Sequence, residues 1–217
     1  MNYNPFIVPF DQLPGTLPIF PLSGSIVLPG SELALNIFEP RYLNMVRDAI
    51  STHRMIGMIQ PDVVARDEAA LCHTGCAGRI TQYRETSDGR IEMVLSGVCR
   101  YDRDEELPTT RGYRLIVPNW SRFSIDYADH EGLLAGEHDR LIRTLESYFE
   151  VKGVEADWSM LERLPTVRLM NSLCLALPFS AKDKQVLLET VEPAERLFNF
   201  TSLLERELHA PRLVTRH

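Results

Sequence analysis

Near residue 133 the spacing of apolar residues changes, and that change constrains the fold more than any other feature of the chain. Upstream, short runs alternate apolar and polar residues between breaks containing Pro and Gly. Downstream, apolar residues recur at helical spacing. Alternation buries one face of a strand, whereas the longer period buries one stripe of a helix. An α+β fold is therefore expected, with strands and helices segregated along the chain. Residues 1–120 should form a β-rich half and residues 121–217 a helical bundle, joined through residues 121–132.

One helix interrupts the strands of the first half. Leu33, Leu35 and Ile37 alternate with Glu32, Ala34 and Asn36, and then Leu43, Val46 and Ile50 follow at helical spacing. Glu39-Pro40 marks the switch. Proline at a first helical position gives up an N–H that would have no partner, and the acid suits the positive end of the helix dipole. The corner so formed carries Phe38, Arg41 and Tyr42. The run LPIFPL, residues 17–22, is apolar but holds Pro18 and Pro21, which predicts an edge strand or one at the mouth of a barrel. Residues 54–60 read as a buried strand ended by Pro61.

The clearest local signal is a hairpin. Residues 75–85 and 90–101 flank Thr86-Ser87-Asp88-Gly89, whose Asp-Gly supplies the positive φ of a tight reversal. Ile91, Met93 and Leu95 fall on one face. Residues 113–117 predict another strand, stopped before Pro118. Several strands, tight turns and one helix imply a small barrel or a strongly curled sheet.

In the second half Leu134, His138, Leu141, Leu145 and Tyr148 share a helical face that ends near Lys152-Gly153. Asp157 is placed to cap a short helix holding Trp158 and Leu161. Val167, Met170, Leu173, Cys174 and Leu177 mark a further helix, stopped by Pro178. Ser180 with Asp183 resembles a capping box. Glu192-Pro193 repeats the earlier acid–proline start and opens a last helix with Leu197, Phe200, Leu204 and Leu208 inward.

A net charge of −7 with no concentrated run of Lys and Arg argues against sequence-independent nucleic-acid binding, which depends on neutralising phosphates. The N-terminus lacks a basic stretch leading into a long apolar one, and no run approaches bilayer length. A cytoplasmic location and no membrane partner are expected. Cys72, Cys76, Cys99 and Cys174 then read as reduced thiols. The string C-H-T-G-C at residues 72–76 invites a zinc reading, yet structural zinc needs four ligands in paired clusters and no second cluster follows. No metal and no cofactor are expected. The chain also lacks a G-x-S-x-G elbow, an H-E-x-x-H helix and a phosphate-cradling loop.

LPIFPL, then VLPG, then LALNIFEPRY together resemble the N-terminal domain of the Lon protease family, above all its stand-alone bacterial form and the Lon-type domains of some eukaryotic ubiquitin-pathway proteins. GCAGRIT, the Asp88-Gly89-Arg90 turn and LSGVCRY fit that family's later strands, and LPFSAKDKQVLLE and ERLFNFTSLLERELH its closing helices. The resemblance implies a β-barrel like that of pseudouridine synthases and archaeosine transglycosylases (PUA-like), followed by helices. It implies a module that helps select unfolded or tagged polypeptides for a protease. Unfolding and cleavage would belong to ATPase and peptidase domains for which these residues leave no room, so no enzymatic activity is expected.

The candidate peptide-binding residues are Phe38, Arg41, Tyr42 and Trp120. In the binding reading, Phe38 and Tyr42 offer apolar contact and Arg41 a charge for a carboxylate or carbonyl. In the packing reading, which aromatic residues at such corners favour, Phe38 and Tyr42 plug the barrel while Arg41 pairs with Glu39. Trp120 and Trp158 could line a cleft but are expected to pack. Arg79, Arg84, Arg90, Arg100 and Arg103, interleaved with Glu85, Glu92, Asp102 and Asp104, are expected to form a solvated face rather than a patch for RNA or acidic peptides. The expected function is non-catalytic polypeptide binding. A small hydrolase with an unrecognised site and a PUA-like nucleic-acid binder remain as alternatives.

Overall fold

The computed structural model describes residues 8–65, 67, 69–128, 130, 134 and 136–209. Its strands are β1 (Leu17–Pro21), β2 (Glu32–Ile37), β3 (Met55–Ile59), β4 (Thr74–Glu85), β5 (Ile91–Leu107) and β6 (Arg114–Asn119). Its α-helices are α1 (Pro40–Ser51), α2 (His138–Lys152), α3 (Trp158–Leu161), α4 (Thr166–Ala176), α5 (Ala181–Glu189) and α6 (Pro193–His209), with 3-10 turns at Phe10–Gln12 and Ser121–Tyr127. The fold is α+β, with a sheet followed by helices, as the change of period implies.

The strand order is β2-β5-β4-β3-β1-β6, and β6 also pairs with β5. The pairings therefore run from β5 through β4, β3, β1 and β6 back to β5, with β2 added outside that ring. The 17-residue length of β5 permits this. Its first residues oppose β2, from Ile37↔Ile91 to Glu32↔Ser96, while its last oppose β6, from Asp102↔Asn119 to Leu107↔Leu115.

The edge expected for β1 is not where the structure puts it. β1 lies between β3 and β6, and staggered pairing reconciles its two prolines with that position. Leu17, Pro18 and Ile19 oppose β6, whereas Ile19, Phe20 and Pro21 oppose β3. Among the described residues only Ile19 of β1 has a strand neighbour on both sides, so each proline's missing N–H falls where one flank is unpaired. β6 likewise runs through Pro118, opposite Arg103 and beside a register shift of β5, instead of stopping before it.

Inside the ring, Tyr101 is fully buried among Leu17, Ile19, Met55, Ala77 and Ile116. Gly57 and Gly75 make room for it, since a Cβ on either would lie 2.5 Å from the Tyr101 hydroxyl. That hydroxyl donates to the Met58 carbonyl at 3.3 Å. At the hairpin only Gly89 takes a positive φ, of 82°, and Thr86 N–H closes the loop on the Arg90 carbonyl.

Two compact units emerge, residues 1–128 with 171–191, and residues 129–170 with 192–217. They differ from a division at residue 120. The Ser121–Tyr127 turn lies with the sheet, as its buried Phe123 requires, and residues 129, 131 and 132 of the expected joint lie outside the described residues. Helix α5 also belongs with the sheet. Gln185 of α5 donates to the Thr74 carbonyl, Gln60 of the loop after β3 donates to Ala181 O, and the buried Lys184 ammonium donates to Gly24 O.

The other unit holds α2, with Leu141, Ile142, Leu145, Tyr148 and Phe149 inward, and α6, with Leu197, Phe200 and Leu204 inward. Gly153 ends α2 in the left-handed region, and Asp157 caps α3 by accepting from Met160 N–H. Among the described residues no helix is long and apolar enough to cross a membrane.

Candidate functional site

The corner between β2 and α1 forms where the sequence places it, but its side chains divide differently. On β2, Leu33 and Leu35 are half-buried and Ile37 is 2% exposed, whereas Glu32, Ala34 and Asn36 face water. Phe38 comes one residue after an inward side chain and therefore turns out. It is 63% exposed, which contradicts the expectation that it fills the end of the barrel. Period-two alternation carried one residue further would have given this result.

Tyr42 does pack. On α1 the inward stripe is Tyr42, Met45, Val46 and Ala49, so of Leu43, Val46 and Ile50 only Val46 is fully inward and the other two are half-buried. The Tyr42 ring meets Phe20 edge-on at 4.4 Å, and burial raises its hydroxyl pKa above the ordinary tyrosine value. Arg41 lies over the same ring at 4.5 Å and bonds Glu39 at 2.9 Å. Arg90 reaches over the exposed Phe38 at 5.8 Å while pairing with Asp88. Loop residues fix α1 from its flank, since Arg111 and Tyr113 both donate to the Asp48 carboxylate. Those bonds hold the Asp48 pKa below the usual carboxylate value.

Phe38, Arg41 and Tyr42 thus share one corner, with Phe38 outermost. Trp120 is placed with another group: its indole N–H donates to Pro14 O at 3.2 Å and its ring meets Tyr101 edge-on at 5.8 Å. Trp158 packs on Phe149.

The five arginines do not form one solvated face. Arg84 pairs with Glu92 across the hairpin, and Arg90 pairs with Asp88 in its turn. Arg100, in contrast, is fully buried. Its guanidinium bonds Asp126 at 2.6 Å and donates to the carbonyls of Leu188, Thr190 and Val191, beyond and at the end of α5. Interleaved charge in the sequence gave no sign of this node.

His73 and Asp102 stand 3.9 Å apart, but Asp102 already accepts from Thr74 and pairs with Arg122. The neighbouring Cys72 thiol is pushed up by burial and by Asp62 and Glu189, the reverse of an activated nucleophile. Among the described residues no group of three or more His, Cys, Asp or Glu is placed to hold a metal ion.

A family model for the ATP-dependent protease La (LON) substrate-binding domain matches residues 16–206. A Lon protease of Parabacteroides distasonis is 24% identical over 91% of the chain and 24% of that protein. One of Brevibacillus choshinensis is 26% identical over 88% of the chain and 25% of that protein. The chain spans about a quarter of the length of these relatives. Among solved structures, a Lon N-terminal domain protein from Xanthomonas campestris superposes with a TM-score of 0.60 at 24% identity, covering 86% of this chain and 97% of that one. The N-terminal domain of Mycobacterium avium complex Lon protease gives 0.61 at 17% identity, covering 90% and 99%. These two likenesses establish a shared fold.

Proposed function

The chain belongs to the ATP-dependent protease La (LON) substrate-binding domain family, and from that premise we propose that it is a non-catalytic, cytoplasmic module that recognises apolar segments of unfolded or tagged polypeptides and passes them to a protease. We take the ring of strand pairings as a PUA-like barrel whose added strand β2 and following corner carry the contact. The observation that supports this most is Phe38. A large apolar side chain stands 63% exposed at the strand-to-helix corner, where it contributes little to the core. The paired state of Arg41, Arg84 and Arg90 favours an uncharged partner over a phosphate backbone.

The test is anisotropy of a labelled protein in two forms, reduced and carboxymethylated, or native with its disulfides intact. Saturable binding of the first and none of the second is expected. Equal binding of both, or of neither, would remove the proposal.

A further inference from the structure

The proposed recognition leaves open how a polypeptide of varied sequence would be held, and the backbone of β2 bears on this. Gly97 N–H donates to the Ser31 carbonyl at 2.9 Å, and Thr86 N–H to the Arg90 carbonyl at 3.0 Å. In an antiparallel pair, hydrogen-bonded and non-bonded positions alternate. Counting from Ser31, the bonded pairs are Leu33↔Leu95, Leu35↔Met93 and Ile37↔Ile91. Counting from Thr86, Glu92 and Val94 turn their backbone groups toward β4, which leaves Ile91, Met93 and Leu95 for β2. The two counts agree. The N–H and C=O groups of Glu32, Ala34 and Asn36 therefore point away from the sheet. Among the described residues no other strand lies beyond them.

Edge strands are ordinarily blunted by lysine, proline, a bulge or inward charge. β2 has none of these. Its pairing with β5 is unbroken over six residues, and Glu32 is its one charged residue. Nearby ionic groups are paired among themselves, Arg41 with Glu39, Arg84 with Glu92 and Arg90 with Asp88, so beside Glu32 the patch offers no array of free charges to a charged ligand.

The flanks of the edge also specify an occupant. Leu33 and Leu35 are only half-buried, so apolar side chains beside them would complete their burial. An open groove of about 570 Å³ lies alongside Ala34, Leu35 and Asn36 of the strand and reaches Tyr83, Glu92 and Met93. At the C-terminal end of the strand stands the exposed ring of Phe38.

We infer that β2 is a docking edge that takes up an extended, uncharged polypeptide segment with alternating apolar residues as an additional strand. The main-chain bonds come from Glu32, Ala34 and Asn36, which makes the capture tolerant of sequence. Apolar contact with Leu33 and Leu35, which share one face of the strand, sets the requirement for alternation. This inference rests on the proposed function and specifies how the same site would work.

The test uses the full chain and a fluorescein-labelled peptide of alternating Val and Thr. A second peptide has the same side chains but N-methyl groups on alternate amides, which blocks one hydrogen-bonding edge. Ala34→Pro removes an outward N–H without touching the β5 ladder, a position where proline is tolerated. We expect binding to weaken at least about tenfold for the methylated peptide on wild-type protein, and for the plain peptide on Ala34→Pro.

If Ala34→Pro loses its denaturant midpoint, the methylated peptide on wild-type protein decides alone. Equal binding of the two peptides would overturn strand addition, and the broader proposal would survive if unfolded protein is still captured. Failure of wild type to bind unfolded protein in any form would remove both. A wild-type dimer that dissociates on Ala34→Pro would assign the edge to a second copy and overturn the inference as well.

Discussion

Arg100→Ala removes a cation whose side chain is 0% exposed from a carboxylate, Asp126, that is 4% exposed. The guanidinium makes the 2.6 Å contact to Asp126, donates to Leu188 O at 3.2 Å and Val191 O at 3.0 Å, and lies over Phe123 at 4.5 Å. Its removal strands a buried carboxylate, which costs about 3–5 kcal/mol. The three carbonyls near the end of α5 lose donors too, but water entering the vacated space offsets part of that loss, so the range stands without addition. A domain's whole stability is only about 5–15 kcal/mol.

For a chain of this size each kcal/mol is about 2–4 °C, so the melting point should fall by about 6–20 °C. Arg84→Ala is the control. Its ion pair with Glu92 is largely exposed, and its loss should cost less than about 1 kcal/mol. Arg100→Lys should recover only part of the loss, because an ammonium cannot reproduce the planar fork. The assay is urea denaturation of all three variants at one pH. An Arg100→Ala midpoint within about 1 kcal/mol of wild type would refute the idea that this guanidinium ties α5 to the sheet.

Phe38→Ala should change stability by no more than about 0.5 kcal/mol in the same denaturation assay, since the ring is already exposed, and should weaken capture of carboxymethylated protein. Burial holds the His53 pKa below 6.5, and its Nδ1 accepts from Met55 N–H in the neutral form. Its stabilising contribution is therefore full above pH 6.5 and lost as pH falls through the lower folded value, so His53→Gln should flatten the stability profile below about pH 6.5. Cys76, Cys99 and Cys174 are buried and Cys72 is half-buried with a raised thiol pKa, so an aromatic disulfide reagent should titrate Cys72 slowly in the native protein and all four thiols after denaturation.

Local patterns carried much of the fold. The Asp88-Gly89 turn, the Glu39-Pro40 helix start, the Asp157 and Ser180 caps and the left-handed Gly153 all depend on residues a few positions apart, so the sequence displays them. What sequence patterns hid depends on distant partners. Pro18 and Pro21 pointed to an edge or to the mouth of a barrel rather than to a strand with neighbours on both sides, because the stagger of β1 between β6 and β3 is set by strands far along the chain. Arg100 looked like one charge among many, since its carbonyl partners lie about ninety residues away. α5 sits with the sheet through Gln60, Lys184 and Gln185, polar side chains that a search for apolar stripes passes over. Phe38 is a different kind of case. Its outward direction was available from the alternation of Leu33, Leu35 and Ile37, but the habit of aromatic residues to pack outweighed it.

Whether β2 takes up a polypeptide as a further strand is decided by hydrogen–deuterium exchange of the full chain, with and without saturating carboxymethylated protein. It reports main-chain protection residue by residue. Strand addition at β2 requires new protection at the outward amides of Glu32, Ala34 and Asn36, extending to Phe38, with the hairpin and α2 unchanged. Protection elsewhere that leaves residues 32–38 exchanging as in the free protein would contradict it.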